Sequence, residues 1–275
     1  MVFRDERGEM EDVTAIILSG GSGSRLSAGS LIPKALLPAW GRPLILRTIA
    51  QLANTRLSRI LIYTTPPCRV QFSAALRELD LSTRNTVSVI CNDSYQNGPI
   101  SALLSLRRRI KSRHCLLILS DIVHAANPFL KLPSDIDPHR IYLGCAPAPR
   151  HAPRTAGVVQ RIGSRLSLVE RPTAPLNTGL LWSGMALFST DYLRTRAATM
   201  SDNPGNAPIG ELFASAKSPY SLARFPVPSF INVNTPADFL AAQLLLLAED
   251  ESEPSPLRRL STRLRLMLQT PNHLL

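Results

Sequence analysis

The sequence has no apolar run that approaches the ~20 residues needed to span a bilayer, and its opening, MVFRDERGEMEDV, is too charged for a secretory signal. A membrane-spanning or exported chain is therefore not expected; residues 1–12 read as a flexible leader. Cysteine is scarce, with only Cys68, Cys91, Cys115 and Cys145, widely spaced and without a C-x-x-C pair. That excludes a disulfide framework and a zinc ribbon. The thiols are expected to be reduced and mostly buried, in a cytoplasmic protein. Aromatic residues make up 5% of the chain and do not interleave with the basic ones. Zinc-finger spacing and helix-turn-helix patterns are missing too, so the formal charge of +11 is not taken as a nucleic-acid footprint. The same charge suits small anionic partners such as nucleotides and phosphorylated metabolites. No hexapeptide repeat is present, which excludes an appended β-helix.

What the chain does contain is 44% hydrophobic residues over 275 positions, enough for one sizeable α/β domain. Apolar runs at 59–64, 86–91, 115–123, 140–146 and 180–188 read as strands. Residues 156–172 read as two strands around a Gly163-Ser164 turn. Helices are expected over 43–55, with proline in the first turn, over 69–79, from Pro99 onward, over 190–199 with Ser189 as cap, and after Pro236. A short helix is expected near Glu211, within an otherwise irregular, proline-rich stretch at 201–229. Strand–helix alternation predicts a mixed, mainly parallel sheet.

The richest stretch is residues 13–34. A buried strand (Val13 to Leu18) runs into a loop with Gly20, Gly21 and Gly23, followed by Arg25 and Lys34. Glycines let backbone N–H groups close on a bulky anion, and Arg and Lys can hold phosphate oxygens. The loop fits neither of two common patterns. Leu26 stands where a dinucleotide-binding turn needs its third glycine, and no lysine occurs before Lys34 to make a Walker A loop.

GGSGSRL at 20–26, PKALLP at 33–38 and GRPLI at 41–45 together resemble the signature of sugar-phosphate nucleotidyltransferases, MobA-like enzymes among them. The resemblance implies a Rossmann-like three-layer α/β/α architecture, the nucleotide-diphospho-sugar transferase fold. It implies that Leu18, Ser19, Gly20, Gly21, Gly23, Ser24 and Arg25 hold the triphosphate of an NTP, with Gly98 close to the base. Arg25 and Lys34 are then the catalytic cations.

Later segments extend the resemblance. Asp121, at the end of an apolar strand, is expected as the first Mg²⁺ ligand; such a carboxylate suits a metal that otherwise binds substrate phosphates. GVV at 157–159 and VERP at 169–172 resemble the acceptor segment, which implicates Gly157, Glu170 and Arg171, and Gly184 is expected beside the sugar. Trp182 reads as core packing. VNTPADF at 233–239 resembles the closing motif of the superfamily, so Asn232 is expected as the second metal ligand, with Asn234 in reserve. Thr235-Pro236-x-Asp238 has the form of a capping box.

The expected activity is transfer of NMP from an NTP to a sugar 1-phosphate, giving NDP-sugar and pyrophosphate. Other acceptors remain open, because NDSYQNGPISALLSL at 92–106 is similar to cytidylyltransferases for phosphocholine-type acceptors and to molybdenum-cofactor guanylyltransferases. A degenerate nucleotide-binding scaffold is the non-enzymatic alternative. The nucleotidyltransferase domain is expected to span 13–249. Residues 250–275 carry a linker and a basic amphipathic helix, suited to docking on the domain or to a homo-oligomer.

Overall fold

The computed structural model describes residues 12–20, 32–53, 55, 57–91, 97–148, 157–170, 179–200, 207–214 and 219–249. Strand β1 (Val13–Ser19) is buried along its whole length. Val13, Ala15 and Ile17 enter one apolar cluster, whereas Ile16 and Leu18 enter another. A strand buried on both faces is the mark of a parallel sheet covered by helices.

From β1 the chain passes through a tight hairpin, β2 (Pro38–Ala39) and β3 (Arg42–Pro43). Trp40 and Gly41 both take positive φ, 49° and 72°, the hairpin-turn geometry that matches strand twist. Helix α1 (Leu44–Ala53) follows, then β4 (Arg59–Thr64), α2 (Arg69–Ala75), α3 (Leu81–Thr86) and β5 (Val87–Cys91). Helix α4 (Gly98–Ser105) leads to β6 (His114–Leu119) and β7 (Ile122–His124). Strands β8 (Arg140–Pro147), β9 (Gly157–Ile162), β10 (Arg165–Glu170) and β11 (Leu180–Ser189) come next. The described chain closes with α5 (Thr190–Thr199), α6 (Glu211–Ala214), β12 (Ser221–Pro226), β13 (Phe230–Asn232) and α7 (Pro236–Glu249).

The main sheet runs β10-β9-β11-β6-β1-β4-β5, with β8 beside β11 and β12 beside β8. β5, β4, β1 and β6 are mutually parallel. β11 enters antiparallel to β6 and β9. On one face Ile45, Leu46, Ile49 and Leu52 of α1 and Phe72 of α2 pack on the sheet. On the other lie Ile100 and Leu103 of α4, Tyr192 and Leu193 of α5, and Leu212 and Phe213 of α6. The result is the three-layer α/β/α arrangement that the resemblance implies. Trp182 is a core residue, as expected: it is 5% exposed, edge-on to Phe213, and its indole N–H donates to the Met185 carbonyl at 2.8 Å. Ser189 caps α5 by accepting the Tyr192 N–H.

Four features differ from the sequence expectations. The run 115–123 is not one strand; it breaks at Ser120-Asp121, and β7 leaves the main sheet to pair antiparallel with β13. The stretch 201–229 contains β12, parallel to β8. Helix 69–79 tightens into a 3₁₀ turn at Leu76–Glu78, and α3 precedes β5, capped by Asp80 through the Thr83 N–H. Strand 180–188 carries a bulge between Trp182 and Ala186. Cys115 and Cys145 are buried free thiols, each pushed up to about 12 by burial, whereas Cys68 and Cys91 are half-buried. Among the described residues no helix is long and apolar enough to cross a membrane.

Burial also holds the imidazole of His124 neutral, pushing its pKa down from 6.5 to about 3. The unfolded chain binds that proton more readily, so the folded state loses stability as pH falls from about 6.5 towards 3. Melting temperature is expected to drop steadily over this window. His124→Leu is expected to flatten part of the slope in pH-resolved melts, and an unchanged slope would refute the assignment.

Candidate functional site

β4 lies on one side of β1 and β6 on the other, so the chain reverses direction across the sheet between β1 and β6. In open α/β sheets such a switch point leaves a crevice outside the carboxyl ends of the strands. Ser19 ends β1 and Gly20 follows it, and Ser120 and Asp121 follow β6. The Ser120 N–H donates to the Leu18 carbonyl at 3.2 Å and draws these two ends together, and the Thr64 hydroxyl, at the end of β4, donates to the Ser19 carbonyl at 3.1 Å.

Lys34 enters this crevice from a 3₁₀ turn, Lys34–Leu36, opened by Pro33 and anchored by buried Ala35. Its ammonium donates to Asp121 Oδ2 at 2.9 Å and to Asn234 Oδ1 at 3.2 Å. The lysine side chain is 13% exposed and the aspartate 28%. The cation and the carboxylate that the sequence singled out therefore meet across 87 residues of chain.

The third wall is β13. It pairs with β7 so that Asn232 faces Ile122, and the Val233 N–H donates to the Asp121 carbonyl at 2.8 Å. Val233 is fully buried, and the two asparagines flank it. They differ in partners. Asn234 holds Lys34, whereas Asn232 Oδ1 is buried and has no hydrogen-bond partner among the described residues. Asp238 Oδ2 accepts both the Asn234 and Thr235 N–H groups, at 3.0 and 2.8 Å, and its own N–H donates to Thr235 Oγ1 at 3.2 Å. This is the reciprocal capping box expected at the start of α7.

A buried amide oxygen without a partner, on the residue that pairs with Ile122 next along the chain from Asp121, is of the donor type that suits a hard cation. Among the described residues no three His, Cys, Asp or Glu side chains converge as an all-protein cage. Mg²⁺ needs no such cage, because it is commonly held by one or two protein oxygens plus substrate phosphates.

Gly98, at the start of α4, has φ of 89°, a conformation suited to glycine. Glu170, at the end of β10, accepts the Gly210 N–H at 2.7 Å. Gly157 leaves room for Trp182, whose Cε3 would lie 3.0 Å from an added Cβ. Gly184 sits in the β11 bulge with φ of 71°, and the space its Cβ would take is filled by Ile122 and Leu119. Gly21, Gly23, Ser24, Arg25 and Arg171 lie outside the described residues, as do residues 1–11 of the leader and the C-terminal segment.

Against this geometry, residues 15–139 match the family model of the MobA-like NTP transferase domain. That match covers less than half of the chain. A Sulfolobus acidocaldarius protein provisionally named a mannose-1-phosphate guanyltransferase is 30% identical over 190 residues, which cover 66% of this chain and 50% of the relative. The chain thus spans half the length of that curated relative. Among solved structures, a Bacillus anthracis protein provisionally named a glucose-1-phosphate thymidylyltransferase, bound to sucrose, superposes with a TM-score of 0.69 at 17% identity, covering 89% of this chain and 98% of that one. The inositol-1-phosphate CTP transferase of T. maritima gives 0.67 at 15%, covering 94% and 98%. HddC of Yersinia pseudotuberculosis with GMP-PN gives 0.64 at 19%, covering 84% and 97%. These superpositions show that the chain has the nucleotide-diphospho-sugar transferase fold.

Two contacts at this site have no counterpart among the sequence expectations. The Asn234–Lys34 bond had a visible signal, since the T-x-x-D capping box pins the residue before Thr235. The Gly210–Glu170 bond had none.

Proposed function

We propose that this protein transfers NMP from an NTP to a sugar 1-phosphate, with release of pyrophosphate. The observation that carries this is the Lys34–Asp121 pair, 2.9 Å apart at the switch point of the sheet. A phosphate oxygen of the acceptor attacks the α-phosphorus. The new P–O bond forms as the bond to the β-phosphate oxygen breaks, and pyrophosphate leaves with the electron pair. The acceptor phosphate is already anionic, so no general base is needed. Catalysis reduces to positioning and charge neutralisation.

In this scheme Lys34 exchanges its contact with Asp121 for the oxygens of the attacked phosphate. Backbone N–H groups of residues 20–24 and the Arg25 guanidinium hold the β- and γ-phosphates. Asp121 and Asn232 Oδ1 would hold Mg²⁺, which would supply further neutralisation of phosphate charge. Gly98 admits the base close to the backbone, and Gly157, Glu170 and Arg171 border the acceptor; Gly184, expected beside the sugar, is packed against Ile122 and Leu119 instead.

GTP and hexose 1-phosphates come first in the test, because the curated relative is named for that pair. The resemblance of residues 92–106 to molybdenum-cofactor guanylyltransferases also favours guanylyl transfer to another phosphorylated acceptor. Each NTP is combined with a panel of sugar 1-phosphates, inositol 1-phosphate and phosphocholine, with and without Mg²⁺, and pyrophosphate release is followed. Release with one sugar 1-phosphate, lost on chelation, is the expected result. Turnover confined to a non-sugar acceptor would redirect the substrate assignment. Silence across the whole panel would favour a nucleotide-binding scaffold.

A further inference from the structure

We infer that Asn234 is a positioning residue for Lys34, a neutral tether that lets the lysine leave Asp121 for a phosphate without leaving the cleft. This rests on the proposed nucleotidyl transfer. An ammonium on a four-carbon stem has three donors and little intrinsic preference for direction. Here Asp121 Oδ2 takes one donor at 2.9 Å and Asn234 Oδ1 another at 3.2 Å, so the third is left for a phosphate oxygen.

The tether is itself fixed. The backbone of Asn234 is clamped by Asp238, which also takes the Thr235 N–H, and Val233 ties the same segment to the Asp121 carbonyl. One capping box therefore fixes a side chain 200 residues from the lysine that it orients.

The choice of an amide matters. An amide oxygen orients the ammonium without adding charge, so it does not compete with an incoming phosphate. A carboxylate in its place would put two anions on one ammonium and hold it in the resting position. Losing the amide would leave the ammonium aimed by Asp121 alone, which the metal site also claims.

The test is a double-mutant cycle on metal-free nucleotide binding, by calorimetry in excess chelator with the NTP that turns over. Asn234→Ala is expected to weaken binding about three- to tenfold when Lys34 is present, and to change nothing in Lys34→Ala. Asn234→Asp, nearly isosteric, is expected to weaken binding at least as much. With Mg²⁺, kcat of Asn234→Ala is expected to fall more than KM rises. Equal effects of Asn234→Ala in both backgrounds would mean a merely structural residue, and wild-type affinity in both asparagine variants would overturn the tether outright. A wild-type protein that binds NTP and releases pyrophosphate keeps those failures separate from a failure of the activity itself. A wild-type protein that does neither overturns both.

Discussion

Pyrophosphate release by Lys34→Ala is expected to fall by about 10²–10³ relative to wild type, as when one preorganised donor to a transition-state oxyanion is removed, with a much smaller change in KM for the nucleotide. Lys34 is the described cation that reaches Asp121, and its side chain is mostly shielded from water. Charge that builds on the leaving pyrophosphate and on the attacked phosphate would lose a partner held ready in place. Stability should move little, because Asp121 is 28% exposed and water can take over part of the lost pairing. Lys34→Arg is not expected to restore activity, since a planar fork cannot fill the place of a point charge shared between Asp121 and Asn234. Steady-state kinetics of the three proteins decide the matter; a Lys34→Ala enzyme at the wild-type rate would end the proposed mechanism.

Gly184→Ala is expected to give the largest loss of stability of any single-methyl addition described here. At φ of 71° any L side chain is strained, a cost of about 1 kcal/mol or more. The added Cβ would also collide with Ile122 Cδ1 and lie 3.0 Å from Leu119 Cβ and Cδ1. Overpacking of that kind adds about 1–3 kcal/mol. Together they amount to about 2–4 kcal/mol, or a fall of roughly 5–15 °C in melting temperature for a domain of this size. Gly163→Ala is the matched control. Gly163 has φ of 60° with nothing within 4 Å of an added Cβ, so only the backbone cost applies. If the two variants melt alike, the packing argument fails. Leu119 and Ile122 bracket Ser120-Asp121, so a shift there also displaces the carboxylate that Lys34 meets, and Gly184→Ala should lose activity at temperatures where it remains folded.

Much of this architecture can be read from local pattern. The strand at 59–64 and the hairpin around Gly163 appear at their expected positions because a buried apolar run and a Gly-Ser turn are local signals. The capping box at Thr235 and Asp238 is local too. The failures are non-local. Ile122 and Val123 continue the apolar pattern of β6, yet they belong to a second sheet, and only the pairing partner β13 reveals the break. β12 lies in a proline-rich stretch and is held by its register with β8, some 80 residues earlier. The candidate site divides in the same way. Lys34 and Asp121 were chosen by type and place, and the structure brings them together. For the second metal ligand the resemblance puts Asn232 ahead of Asn234, but the pattern N-x-N carries no sign of the Asn234–Lys34 contact. Their difference is in what each side chain meets after folding.

The small β7–β13 ribbon has a consequence for the order of events during folding. It joins the middle of the chain to a segment more than a hundred residues later, and the Lys34–Asn234 contact spans 200 residues. Contacts of such separation carry a high loop-closure cost until the intervening chain has condensed. β1, β4, β5 and β6 can assemble from nearer neighbours, but the cleft gains its asparagine wall only when α7 docks. A partly folded chain therefore presents Asp121 and Lys34 without the groups that aim them, and competence for phosphate chemistry is reached late, after most of the sheet is in place.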